Sequence, residues 1–206
     1  MSDVTRRLLL AVAILLLCAC DRAAEGRPRL QDGDIVFQTS ASAQSQAIQA
    51  ATHSPYSHMG LVVFRDGQPY VLEAIAHVQL TPLAAWAARG KGGRYVAKRL
   101  RDRSILSDPA RLSALKEAAL SFVGKPYDPY FEWSDERIYC SELVWKAFDR
   151  ALGVRLGSLA PLLSFDLENP MVRHKLAERF GDKVPLDEQV ISPAAMFDSG
   201  LLESAR

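Results

Sequence analysis

The stretch "DERIYCSELVWKAFDRAL", residues 135–152, decides how the rest of the chain is read. A polar segment gives way at Cys140 to a run with Leu143, Val144, Ala147, Phe148 and Leu152 at helical spacing. That is an amphipathic helix with one apolar face, and it carries a cysteine in its first turn. The unpaired N–H groups and positive dipole end of a helix start favour an anion, so a thiolate is stabilised there. The same N–H groups can hold an oxyanion. A buried, inert cysteine is the competing reading, because free Cys is among the most buried residue types.

The start of the chain raises the stakes for that thiol. "MSDVTRRLLLAVAILLLCAC" (1–20) has a basic Arg6-Arg7 pair and then an apolar run from Leu8 to Leu17. The run is short for a membrane span and suits the core of an export signal. Its end, "LCAC", resembles the lipobox of bacterial lipoproteins, which implies cleavage before Cys20 and lipid on its thiol. Acyl chains on that residue would anchor the domain in the cell envelope. Asp21 slightly favours retention in the inner membrane over the outer. The expected division is a signal peptide over 1–19, a tether over 20–31 and a hydrolase domain over 32–206. Of Cys18, Cys20 and Cys140, only Cys140 then keeps a free thiol in an oxidising compartment. An odd cysteine there marks a reactive thiol or an intermolecular pair.

Bulk properties narrow the class. The 206 residues are 49% hydrophobic and 24% charged, which excludes a disordered chain or a multi-span membrane protein. A net charge of +1 gives no reason to expect nucleic acid as a partner. Strand-like runs fill the first half: "DGDIVFQT" (32–39), "MGLVVF" (59–64), "YVLEAIAHVQL" (70–80) and "RYVAKRL" (94–100). Helical patterns fall at 40–53, 82–93, 107–125, from Cys140 onward, and within 161–181. The prediction is α+β: an antiparallel sheet, in the form of a small half-barrel, packed on helices.

A thiolate nucleophile needs a base. His58 stands directly before the strand "MGLVVF", at the end of the sheet. His53 lies on the other side of "SPYS", His77 comes late in the second strand-like run, and His174 sits in a charged run that reads as surface. Glu73 interrupts an apolar strand, where a carboxylate is costly unless paired. If Asp66-Gly67 form a two-residue hairpin turn, His58 faces Ile75 and Glu73 is its diagonal neighbour on the same face. A turn of odd length would separate them. Tyr127, Tyr139 and Ser141 are candidate substrate or oxyanion contacts near Cys140, with packing as the alternative role. Arg89, Lys91, Arg94, Lys98, Arg99, Arg101 and Arg103 form a basic stretch that reads as a solvated face.

Together, "DGDIVF", "SPYSHMGLVV", "VLEAIAHVQLTPLAAWAARGKGGRYVAKRL", "GKPYDPYFEW" and "IYCSELVWKAF" resemble the permuted papain-like enzymes of the NlpC/P60 superfamily, specifically the YiiX/YaeF-type lipoproteins. The likeness spans about 31–202, and the order His, Glu, Cys is that of the circularly permuted group. It implies Cys140 as nucleophile, His58 as base and Glu73 as the residue that orients the imidazole. The implied activity is a cysteine amidase or peptidase acting on peptide or N-acyl amide bonds. A thiol acyltransferase or lipid esterase with the same triad, or a silent ligand-binding module, are the alternatives. The implied partners are a peptide, N-acyl amino acid or acyl-lipid substrate, and a membrane through the lipid anchor. No metal or other cofactor is expected, since C-x-x-C, H-E-x-x-H and close His pairs are all missing from the sequence. Oligomeric state has no signal in the sequence.

Overall fold

The computed structural model describes residues 29–205. The expected signal peptide, Cys20, Asp21 and most of the tether lie outside the described residues.

The Asp66-Gly67 turn sets the register of the sheet. Both residues have positive φ, 49° and 74°, as a two-residue hairpin turn with the twist of its strands requires. It joins β2 (His58–Arg65) to β3 (Gln68–Ala74), with Arg65 opposite Gln68 and Leu61 opposite Leu72. β1 (Ile35–Gln38) pairs with the other edge of β2, placing Gln38 opposite His58. With β4 (Val78–Pro82), β5 (Val96–Leu100) and the C-terminal β8 (Leu202–Ser204), the order across the sheet is β4-β3-β2-β1-β5-β8. Every neighbouring pair is antiparallel. Short β6 (Ala160–Pro161) and β7 (Gln189–Val190) pair separately. The architecture is α+β, an open antiparallel sheet packed against helices.

Alternation along the strands gives the sheet two apolar faces. Ile35, Phe37, Met59, Leu61 and Leu72 point to one face and meet Leu143, Val144, Ala147 and Phe148. Those four belong to α5 (Cys140–Leu152), the helix expected from residues 135–152. Removing one such side chain, as in Phe148→Ala, would cost about 3–5 kcal/mol. Val36, Val62 and Val71 point to the other face, where Trp86 of α2 (Leu83–Ala88) covers them.

The remaining helices start at local capping signals. Ser42 caps α1 (Ala43–Thr52) by accepting from the Ser45 N–H, and His53 closes it in the left-handed region at φ 51°. After the short α3 (Ser104–Ser107), Asp108 caps α4 (Pro109–Leu120), with proline in its first turn. Asn169 does the same for α6 (Pro170–Phe180), and Ser192 for α7 (Pro193–Phe197).

Two local expectations change and one is narrowed. The run 70–80 is two strands, because the chain turns at 75–77 and pairs β3 with β4 in a second hairpin. The helix within 161–181 begins only at Pro170, after a 3-10 turn over Leu162–Ser164. The basic stretch is not simply a solvated face. Arg99 is buried and grips Asp34 through two nitrogens, at 2.9 and 2.7 Å, while Lys98 lies over the ring of Phe197.

Candidate active site

Cys140 is the first residue of α5, and it is buried. The helix proper opens with the Leu143 N–H donating to the Tyr139 carbonyl, so the N–H groups of the first turn have no carbonyl of their own helix to meet. The start is held by several contacts. The Tyr139 N–H donates to Glu142 Oε2 at 3.3 Å. The Tyr139 hydroxyl accepts from the Ile191 N–H at 3.1 Å, and its ring packs edge-on against Phe131. Ser141 donates its hydroxyl to the Ile191 carbonyl at 2.8 Å. Tyr139 and Ser141, both candidate substrate contacts, thus direct their hydroxyls at the backbone of Ile191 and fix the helix start.

His58 arrives from the opposite direction, as the first residue of β2. Alternation puts it on the face that carries Trp86, against which its ring stacks at 6.1 Å between centroids. Because it ends the strand, the imidazole also reaches the Cys140 side chain, which lines the same depression and acts on its charge. Its Nε2 faces Glu73 Oε2 at 2.6 Å, which leaves Nδ1 for the thiol. The diagonal placement expected from a two-residue turn is the one that brings these groups together.

Glu73 is fully buried, and three partners surround its carboxylate. Besides His58, Thr81 donates its hydroxyl to Oε1 at 2.6 Å, and Arg89 Nη2 donates to the same oxygen. Burial pushes the carboxyl up. The hydrogen bonds and charges of His58, Thr81 and Arg89 outweigh burial and hold it below the ordinary carboxylate range. For His58, burial likewise opposes the charged ring. Hydrogen bonds to Cys140 and Glu73, with their negative charge, prevail and raise its pKa to about 9. The arrangement is a line of alternating partners, Arg89 and Thr81 to Glu73 to His58 to Cys140.

Thr81 and Arg89 were not marked as site residues by the sequence. Thr81 lies one strand further on, and Arg89 follows α2 within the basic stretch. Gly60 belongs with them. A Cβ on Gly60 would lie 2.6 Å from the Leu72 carbonyl oxygen and 3.4 Å from Glu73 Cβ, so glycine leaves the room that Glu73 occupies.

The thiol borders two depressions. One is polar, lined by Gln38, Ser40, Ser57, His58 and Arg89. The other is apolar, lined by Ala47, Ile48, Phe165, Leu167, Val172 and Leu176. Gln44, Ile48, Tyr127 and Cys140 line both. Gln44 Nε2 donates to the Tyr127 hydroxyl at 2.5 Å, leaving that hydroxyl's own proton free to point elsewhere. Burial, then the charge of Cys140, pushes the Tyr127 phenol well up, so it stays protonated. Gln44 carried no signal in the sequence beyond its place in a short helix. His174, expected at the surface, is there, and among the described residues His53 and His77 line neither depression.

The model of a family described as permuted papain-like amidase enzymes, YaeF/YiiX, C92 family, matches residues 29–204. The chain belongs to this family. A relative from Escherichia coli (strain K12), described as the uncharacterized protein YiiX, is 48% identical over 169 residues, covering 82% of each chain. A crystal structure described as metalloprotein yiiX from Escherichia coli O157:H7 superposes with a TM-score of 0.81. It is also 48% identical, over 85% of this chain and 96% of that one. As a member of the YaeF/YiiX family, the chain has the permuted papain-like fold, and the family's description is that of an amidase.

Proposed function

We propose that the chain is a cysteine amidase of the cell envelope, with Cys140 as nucleophile, His58 as acid and base, and Glu73 as the residue that orients the imidazole. The observation that carries this reading is the continuous contact from Glu73 through His58 to Cys140 at the start of a buried helix.

The chemistry follows from the geometry. The Cys140 sulfur attacks an amide carbonyl carbon. The oxyanion is met by first-turn N–H groups of α5 and by the free proton of Tyr127. His58, charged at neutral pH, gives its proton to the leaving nitrogen as the C–N bond breaks. Water then attacks the thioester with His58 as base, releasing the acid and restoring the thiol. Glu73, held by Arg89 and Thr81, keeps Nδ1 aimed at sulfur throughout.

The Escherichia coli O157:H7 structure is described as that of a metalloprotein, and the donor set around Cys140 offers no matching site. Glu73 is turned away from the thiol by the intervening imidazole, and its oxygens are taken by His58, Thr81 and Arg89. Among the described residues, no group of three or more His, Cys, Asp or Glu could hold an ion. No step is routed through a metal.

The envelope location and NlpC/P60 kinship rest on the sequence. "LCAC" supports lipidation at Cys20, and labelling with an alkyne fatty acid that Cys20→Ser abolishes would test it. For the activity, wild type and Cys140→Ala are compared on peptide amides, N-acyl amino acids and lipid esters. Amide cleavage confined to the wild type supports the reading, and equal activity in both contradicts it.

A further inference from the structure

The polar cleft that His58 lines holds an unused acceptor. Gln38 ends β1 directly opposite His58, and strand pairing puts both side chains on the same face of the sheet. Its side chain lines the cleft together with His58, Arg89 and Cys140. Gln38 is 2% exposed, and its amide oxygen has no hydrogen-bond partner among the described residues. A buried acceptor in that state is destabilising. The fold nevertheless makes room for it: a Cβ on Gly90 would lie 2.5 Å from Gln38 Oε1.

Amide cleavage needs an acceptor in this place. Attack by sulfur makes the amide nitrogen pyramidal, and its lone pair must face the proton on His58. The hydrogen that the nitrogen already carries then turns away from the imidazole. A neighbour that accepts it there stabilises the transition state more than the bound amide. An ester has no such hydrogen, and a site built around a hydrogen bond rejects the substrate that lacks it. Arg89 can only donate. Ser45 and Ser57 bond to each other through their hydroxyls, and the Ser42 hydroxyl accepts from the Ser45 N–H at 3.1 Å. Gln38 stands beside His58 with its oxygen uncommitted. Its last torsion joins a tetrahedral to a trigonal carbon and is soft, so the oxygen can turn from Gly90 towards the cleft.

We propose that Gln38 is a specificity-determining residue, accepting the N–H of the scissile amide and making the enzyme select amides over esters. The inference rests on Cys140 and His58 acting as described above. Sulfur bonds to the carbonyl carbon, the His58 proton goes to the nitrogen lone pair, and the C–N bond breaks. The amine leaves with the hydrogen that Gln38 held and the proton from His58. Gln38 itself gains and loses nothing. Water then replaces sulfur and releases the acid.

The test offers one acyl group as its p-nitroanilide and as its p-nitrophenyl ester. The measured quantity is kcat/KM, which reports acylation for both, in the wild type, Gln38→Leu and Gln38→Met, with Cys140→Ala as the blank. The anilide-to-ester ratio should fall by about tenfold or more in both Gln38 variants, with the ester rate little changed. Gln38→Met keeps the length of the side chain and stands in if Gln38→Leu does not fold. Lost packing, or a lost donor to the oxyanion, lowers both substrates together, so an unchanged ratio overturns the proposal. A wild type that cleaves only the ester overturns it as well. The N-methyl p-nitroanilide, which has no N–H, tests the same contact from the substrate side. It should cost the wild type about tenfold or more against the anilide, and cost Gln38→Leu much less. An equal penalty in both proteins overturns the proposal. Equal hydrolysis by Cys140→Ala overturns the nucleophile and this inference with it, whereas an unchanged ratio that still needs Cys140 overturns the role of Gln38 alone.

Discussion

His58 Nε2 lies 2.6 Å from Glu73 Oε2 across the β2–β3 hairpin, the two residues being diagonal neighbours on one face of the sheet. A backbone register set by the Asp66-Gly67 turn therefore decides whether the imidazole beside Cys140 meets a carboxylate.

Glu73→Gln removes the negative charge behind the imidazole. His58, now at about 9, becomes less basic. If His58 acts as acid in its charged form, the alkaline limb of kcat/KM stands near pH 9 in the wild type. It should move to lower pH in the variant. Thermal stability follows the same group. Its folded pKa lies above the ordinary value of 6.5, so its contribution is full below pH 6.5 and is lost as pH rises through about 9. Melting curves from pH 6 to 10 should show that loss blunted in Glu73→Gln.

Arg89→Ala acts on the acid side. Burial already opposes the Glu73 charge, and Arg89 is one of the three partners that overcome it. Without the guanidinium the carboxyl pKa rises. The stability that Glu73 contributes above its unfolded pKa is lost as pH falls through the folded value, so the loss begins at higher pH in the variant. Melting temperatures between pH 3 and 6 would record it, and Arg89→Lys should restore part of it.

Gly60→Ala should be costly although glycine looks replaceable within a strand. The added methyl would meet Val71 Cγ1 at 2.4 Å and the Leu72 carbonyl oxygen at 2.6 Å. Pushing β2 from β3 should destabilise the fold by about 1–3 kcal/mol, read in denaturant unfolding. Hydrolysis should fall further than the unfolded fraction explains, because the His58–Glu73 distance depends on that pairing.

Tyr127→Phe keeps the ring and removes the proton proposed to meet the oxyanion. Loss of one such donor lowers kcat by about 10²–10³, with KM little changed. An equal rise in KM at constant kcat would instead place Tyr127 in ground-state binding.

The sequence made the central contacts legible where local chemistry fixes geometry. The helix at Cys140 follows from its apolar spacing. The His58–Glu73 pairing follows from a two-residue turn, since side-chain direction alternates along a strand. What lay hidden comes from elements remote in sequence. Thr81 reaches Glu73 only because the chain folds back at 75–77, where "EAIAHVQ" reads as unbroken strand. Arg89 reads as one of seven basic residues until α2 returns it to β3. The apolar depression is assembled from α1, α6 and the segments around Phe165 and Ile191, and no local pattern announces such a meeting.

The most direct test of the central claim is the mass of the acyl-enzyme. Wild type, Cys140→Ala and His58→Ala are mixed with an N-acyl amino acid, quenched in acid within the first turnovers and digested. The account predicts an acyl thioester on the Cys140 peptide of the wild type, none in Cys140→Ala, and acylation slowed by about 10²–10⁴ in His58→Ala. Hydrolysis that proceeds without a Cys140 adduct, and at the same rate in Cys140→Ala, would contradict it.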